Sequence, residues 1–215
     1  MAYDFNGTNQ SMQTATVPVS APPLTMACWF NSDSLTTSQT AILIRSATIS
    51  GRPYMGLFVR GHVAGDPITA GISDGASFSG ADSTASYSAN TWHHGCAVFA
   101  STTSRTIYLD GGNSATNTDN RVATPQEIRI GVFVNFNDSQ TAFMNGRLAE
   151  VGIWNAVLTA AEIASLAKGM TCDKVRPQNL VFYAPLVRDL IDQKGGLAIT
   201  NNNGATVANH PRVYA

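Results

Sequence analysis

His93 and His94 stand side by side ahead of Gly95, and a pair of imidazoles is the first place to look for a metal or a catalytic base. The run Trp92-His-His-Gly-Cys-Ala-Val-Phe99 reads as a strand. Adjacent side chains in a strand point to opposite faces, so the two rings cannot reach one ion without a bulge. Carboxylate chemistry fares no better. Retaining glycoside hydrolysis needs two carboxylates about 5–5.5 Å apart, yet Glu127, Glu150 and Glu162 each lack a second acid nearby in sequence. No Gly-x-Ser-x-Gly elbow, His-Glu-x-x-His pair or phosphate loop occurs. What remains is binding chemistry. Tyr54, Phe78, Tyr87 and Phe136 lie beside turn-rich segments, where an aromatic ring can stack on a sugar; packing into the core or an edge is the competing role for each.

Composition narrows the partners. Charged residues make up 13% of the 215 and the formal net charge is −1, which leaves a surface of Ser, Thr, Asn and Gly suited to extended contact with proteins or glycans. Nucleic acid is excluded as a partner, since no basic patch exists to neutralise phosphates. Cys28, Cys96 and Cys172 are odd in number and widely spaced, as reduced core thiols are. No apolar run approaches the roughly 18 residues of a membrane span. The N-terminus Met1-Ala-Tyr-Asp-Phe-Asn-Gly7 has neither the cationic nor the apolar region of a secretory signal. A protein made in a reducing cytoplasm, or exported without needing disulfides, is the expectation.

The elements that must position these residues are strands. Leu24–Phe30, Ala41–Arg45, Tyr54–Arg60, Ile68–Ile72, Trp92–Phe99, Arg105–Leu109, Glu127–Val134 and Gly146–Trp154 are short β-rich runs. Turn residues divide them, among them Ser50-Gly-Arg-Pro53 and Asp110-Gly-Gly112. One helix is predicted over 159–168, with Thr159 and Glu162 forming a capping box and Gly169 ending it. Leu180–Leu186 reads as a late strand and 200–215 as a polar extension. The fold class is therefore all-β: one antiparallel two-sheet sandwich over 1–199.

Three segments together carry a resemblance. Trp92-His-His followed by Tyr108-Leu-Asp-Gly111, then Gly146-Arg-Leu-Ala-Glu-Val-Gly-Ile-Trp154 with Leu158-Thr-Ala-Ala-Glu-Ile163, and Phe5-Asn-Gly7 resemble the signatures of laminin-G-like domains. Those domains share the jelly roll of pentraxins and concanavalin A. The resemblance implies a structural place for Glu150, and the Glu-x-Asp-x-x-Glu strand of glucanase relatives is absent. It also implies rim calcium held by loop oxygens, for which Asn135 and Asp138, beside Asp110 and Asn137, are the candidate donors; ordinary turn chemistry is the alternative. No other cofactor is expected. Leu180–Leu186 is similar to the family's opening strand and is expected to pair beside Ala2–Phe5. The layout, with its His210-Pro-Arg-Val-Tyr214 ending, is similar to proteins of tailed bacteriophages. That likeness implies a non-enzymatic virion subunit, assembled with other virion proteins or with copies of itself. A lectin-like module using Tyr54, Tyr87 and Phe136 on glycans is the alternative.

Overall fold

The computed structural model describes residues 1–214. Its elements are β1 (Ala2–Asn6), β2 (Ser11–Thr14), β3 (Leu24–Ser32), β4 (Ser38–Arg45), β5 (Tyr54–Arg60), β6 (Ile68–Ser73), β7 (Phe78–Asp82), β8 (His93–Ser101), β9 (Ser104–Leu109) and β10 (Gly112–Asn117). There follow β11 (Glu127–Ile130), β12 (Phe133–Val134), β13 (Gln140–Thr141), β14 (Asn145–Trp154), α1 (Ala160–Ala167), β15 (Leu180–Ala184), β16 (Thr200–Asn202) and β17 (Thr206–Ala208). Two antiparallel sheets face each other. The first runs β10-β9-β8-β3-β14-β1-β17, with β15 also on β14; the second runs β16-β2-β11-β4-β5-β6-β7. The all-β sandwich expected from the sequence is the observed fold.

Alternation builds the core. Met26, Cys28 and Phe30 of β3 meet Met55, Leu57 and Val59 of β5 and Ile68, Ala70 and Ile72 of β6 between the sheets. A second cluster lies on the opposite face of the first sheet, where Leu158, Ile163 and Leu166 cover Ala27, Cys96, Val98 and Trp154. Trp154 is fully buried, and its Nε1 donates to the Val175 carbonyl at 2.8 Å. Trp29 and Trp92 are only half-buried. Helix α1 starts on the predicted capping box, Thr159 with Glu162. It ends in a Schellman motif, where Gly169 at φ +99° and Met170 donate back to Leu166 and Ser165. The three thiols are free and buried, and burial pushes each of them up. Among the described residues no helix is long and apolar enough to cross a membrane.

Two expectations about the C-terminal part need correction. β15 does not pair beside β1. Both strands lie along the same edge of β14, β1 on its first half and β15 on its second, with Val151 opposite Ala184. Glu150 sits at the junction with φ +53°, and its N–H donates to Pro185. The neighbour of β1 is instead β17, Tyr3 opposite Val207. Residues 200–214 are therefore more than a surface extension: β16 pairs with β2 and β17 with β1, one short strand for each sheet. Edge strands of three residues bury little side chain, so polarity was a poor guide to their pairing.

His93 and His94 point to opposite faces, as expected. His93 Nδ1 lies 2.7 Å from Asp110. His94 is buried against Trp29 with its Nδ1 unpartnered. Burial pulls its pKa down to about 4, against the weaker opposing pull of Asp110.

Two expected outcomes follow from this packing. Ending the chain at Ile199 removes β16 and β17 and exposes the edges of β2 and β1. Thermal melting should fall by about 6–12 °C, for a loss of roughly 3 kcal/mol; a drop under about 2 °C would refute the pairing. His94 stays neutral in the folded chain while the unfolded chain protonates it below about pH 6.5. Stability should then decline as pH falls from about 6.5 to about 4, by up to roughly 3 kcal/mol, and level off below. An NMR titration reads this directly, since the His94 ring should show no protonation until pH approaches about 4.

Candidate functional site

The outward positions of β5, β6 and β7 form a surface unlike the rest. Gly56, Gly71 and Gly80 lie opposite one another in adjacent strands. Their lack of side chains leaves a trough across the sheet, and two rings lie in it. A Cβ on Gly71 would come within 2.7 Å of Phe58 and 2.6 Å of Phe78. Tyr54, on the same face of β5 as Phe58, stands 6.1 Å from it and 6.5 Å from Phe78 between ring centroids. Phe133 completes the group from a flap: after Gly131 the chain leaves β11, pairs as β12 with β13, and returns to β14. Its ring is 5.1 Å from Tyr54 in a T-shaped contact. Such spacings suit edge-to-face aromatic packing.

These rings divide two cavities. The larger, about 410 Å³, is lined by Phe58, Arg60 and His62 on the sheet side and by Thr40, Phe133, Thr141 and Ala142 on the flap side. The other, about 360 Å³, lies beyond Tyr54 and Phe78 and is lined by Arg52, Ser73, Asn135 and Phe136. Phe78 and Phe136 are 46% and 64% exposed, which is high for phenylalanine and leaves ring faces open to a ligand.

Polar groups border the larger cavity. Thr40, Phe58, Thr69 and Asp82 form one cross-strand row. Asp82 Oδ1 accepts from Thr69 Oγ1 at 2.5 Å and from Arg60 at a long 3.4 Å. A bulge between Thr40 and Ile42 turns Thr40 toward the cavity. Its Oγ1 is buried and has no hydrogen-bond partner. Burial pushes the Tyr54 phenol up to about 12, so it stays a neutral donor at ordinary pH.

Of the aromatics singled out in the sequence, Tyr54, Phe78 and Phe136 converge here. Tyr87 does not: it is 2% exposed, in the core, with its hydroxyl donating to Ser34. The calcium candidates also act differently from that expectation. Both Asp138 oxygens are taken, by Arg45 at 3.0 Å and Arg52 at 2.7 Å. Hydrogen bonding from Arg45, with Arg52 alongside, holds its carboxyl below the usual range. A cation there would have to displace two guanidiniums. Asn135 Oδ1 accepts from the backbone of Asn137 and Ser139, the turn chemistry that was the alternative. Asp110 belongs to the first sheet; burial raises its pKa, but His93 and the His94 backbone outweigh that and hold it low. No group of three or more His, Cys, Asp or Glu side chains clusters among the described residues.

Phe58, Phe133, Arg60 and Thr40 were not anticipated. The alternation Tyr54, Gly56, Phe58, Arg60 would have placed two of them, Phe58 and Arg60, on one face with Tyr54. Nothing local marks Thr40 or Phe133, which reach the site through a bulge and a flap.

The fold has solved counterparts. A native heptameric SAP-like pentraxin from Limulus polyphemus superposes with a TM-score of 0.67 at 12% identity, over 95% of this chain and 93% of that one. Domain 4 of a family 43 extracellular arabinanase from Geobacillus stearothermophilus, solved with arabinotriose, gives 0.63 at 16%, over 77% and 76%. The CBM40 of a Ruminococcus gnavus IT-sialidase, bound to α2,3-sialyllactose, gives 0.59 at 9%, over 78% and 98%. No curated protein sequence matches the chain. The sequence profile of the concanavalin A-like lectin and glucanase group matches residues 6–164. That span takes in every strand from β2 to β14 and the start of α1. On this match, carried by the two-sheet sandwich it describes, the chain belongs to the concanavalin A-like lectin/glucanase superfamily.

Proposed function

We propose that this protein is a non-enzymatic carbohydrate-binding module whose ligand rests on the outer face of β5, β6 and β7. The observation that carries the reading is the layer of Tyr54, Phe58, Phe78 and Phe133 over the glycine trough, bordered by Arg60 and Asp82. Sugar rings offer C–H faces for stacking and hydroxyls for hydrogen bonds, and this surface supplies both complements. That two domains of the same fold were solved with arabinotriose and sialyllactose supports it.

A hydrolase reading finds no pair of free carboxylates near the cavity. Glu127 is held by Arg45 at 2.5 Å and Arg129 at 3.0 Å. Glu150 lies under Tyr183 and His210 on the first sheet, and Glu162 is bound to Arg176 and its own helix cap. Asp82 is engaged by Thr69 and Arg60, and Asp138 by Arg45 and Arg52. Acid–nucleophile chemistry needs two.

A virion of a tailed bacteriophage is the setting we propose for the module, on the sequence resemblance and the low-charge, Ser/Thr/Asn-rich surface. Detection of the chain in purified particles would establish it.

Binding is tested by a glycan array followed by calorimetry. Phe78→Ala should lower affinity about 2- to 12-fold, from an aromatic contact of about 0.5–1.5 kcal/mol, and should lower the melting temperature as well, since the ring packs on Phe58 and over Gly71. Unchanged affinity would sink the aromatic-face reading. Glu127→Gln and Glu150→Gln should remove no glycosidase activity, because the wild-type protein should have none; turnover of laminarin, agar or xylan by the purified protein would overturn the non-enzymatic assignment.

A further inference from the structure

The two cavities lie end to end along β5. The first covers the Arg60 half of the strand: Ser38 stands opposite Arg60 and Thr40 opposite Phe58, and both β4 residues line it. The second covers the Tyr54 half, with Ser73 opposite Tyr54 and Arg52 just before the strand. Tyr54, Phe78 and Phe133 belong to the walls of both. Where the cavities meet, the Tyr54 and Phe133 rings touch edge to face, 5.1 Å between centroids. An apolar saddle between sheet and flap therefore joins them.

The groove so formed has two sides and two open ends. The flap makes one side, and its Asp138 is held by Arg45 and Arg52, so that side stands in the free protein. Phe78 makes the other, with the turn that precedes it. At one end lie Ser38 and His62, both exposed. At the other, the turns before β5 and before β7 meet through Gly51 and Gly75, where a Cβ on Gly51 would come 2.9 Å from Gly75 Cα. No side chain rises from either glycine to close that exit, and Phe136 beside it is 64% exposed. The 7 residues of β5 span roughly 20 Å, the length of several sugar units. Among the described residues the Arg60 guanidinium meets only Asp82, at a long 3.4 Å, which leaves donors for a ligand.

Resting on the carbohydrate-binding reading, we infer that the groove takes an internal stretch of a linear glycan, laid parallel to β5 with both of its termini outside. Units in the two cavities flank the Tyr54–Phe133 saddle, and the unit between them crosses it beside Phe78. Arg60 donates to hydroxyls in the first cavity, and Phe136 offers a ring face in the second. Every unit of such a chain presents the same faces and hydroxyls, so no terminus is needed for recognition.

The test is calorimetry on the full chain with linear cello-, xylo-, arabino- and malto-oligosaccharides of increasing length, free or methylated at both terminal units, and with their parent polymers. Occupation of the whole groove predicts affinity that climbs over the first several units. Beyond that it should grow only in proportion to the places available along the chain. Methylating both termini of a long oligosaccharide should leave its affinity unchanged, and one polymer chain should bind several protein molecules. Two variants probe the ends separately: Phe136→Ala removes an exposed ring beyond Tyr54, and Arg60→Ala removes donors beyond Phe58. Each should lower affinity for a long oligosaccharide about 2- to 12-fold, and the two losses should multiply. A disaccharide should feel at most one of them. Affinity that stops climbing after two units, binding lost on methylation of the termini, or an effect on long ligands from only one variant overturns the inference and leaves the binding reading standing. No binding to any glycan on the array or in the series overturns that reading and this inference with it. If either variant fails to fold, the length series and the methylated ligands on the wild-type chain decide alone.

Discussion

Within β14 the chain turns left-handed at Glu150, and the way the sandwich closes depends on that one residue. A straight ten-residue strand would offer one edge to one partner. The break divides the edge in two, so β1 takes the first half and β15 the second. A non-glycine residue at positive φ is costly and persists only where its surroundings over-determine it. Here they do. The Glu150 N–H is held by Pro185 and its carbonyl by the Cys172 thiol. Its carboxylate accepts from the Tyr183 hydroxyl at 2.7 Å and lies 3.2 Å from His210 Nε2. One residue thus joins the end of β14, the turn after α1, strand β15 and the C-terminal segment.

The second sheet divides its labour by the two-residue period. Met55, Leu57 and Val59 of β5 commit one face to the core, which leaves Tyr54, Gly56, Phe58 and Arg60 free of any packing duty there. Three aligned glycines would ordinarily weaken a sheet. In this one the rings of Phe58 and Phe78 occupy the space that side chains would fill, so the trough and its aromatic layer stabilise each other. A rigid sheet then presents the rings at fixed spacing, so a ligand of the proposed kind would cost little ordering entropy to bind.

Charge is sparse in this protein and concentrated where the flap meets the sheet. Arg45, nearly inaccessible, bonds Glu127 and Asp138, and Glu127 in turn bonds Arg129, which reaches Gln13. Removing either partner of the buried Arg45–Glu127 pair leaves the other charge poorly compensated, at a cost of several kcal/mol. The network holds the flap that walls the cavity, so the ion pairs of one half of the sheet set the shape of the aromatic site on the other half.

Much of the architecture was legible in the sequence because strands announce themselves locally. Alternating apolar residues, Gly- and Asn-rich turns and the Thr159–Glu162 box are properties of neighbouring residues, and the sandwich, the helix and the opposed His93 and His94 followed from them. Tyr54, Phe78 and Phe136 were legible as binding candidates for the same reason. What sequence could not decide was which strand meets which. The place of β15, the pairing of β16 and β17, the burial of Tyr87 and the capture of Asp138 by Arg45 and Arg52 all join residues far apart in the chain. The site itself is of that kind: Thr40, Phe58 and Phe133 come together only because a bulge, a register and a flap put them there. Local pattern tells each residue which face it takes, and only the closed sheets determine what it faces.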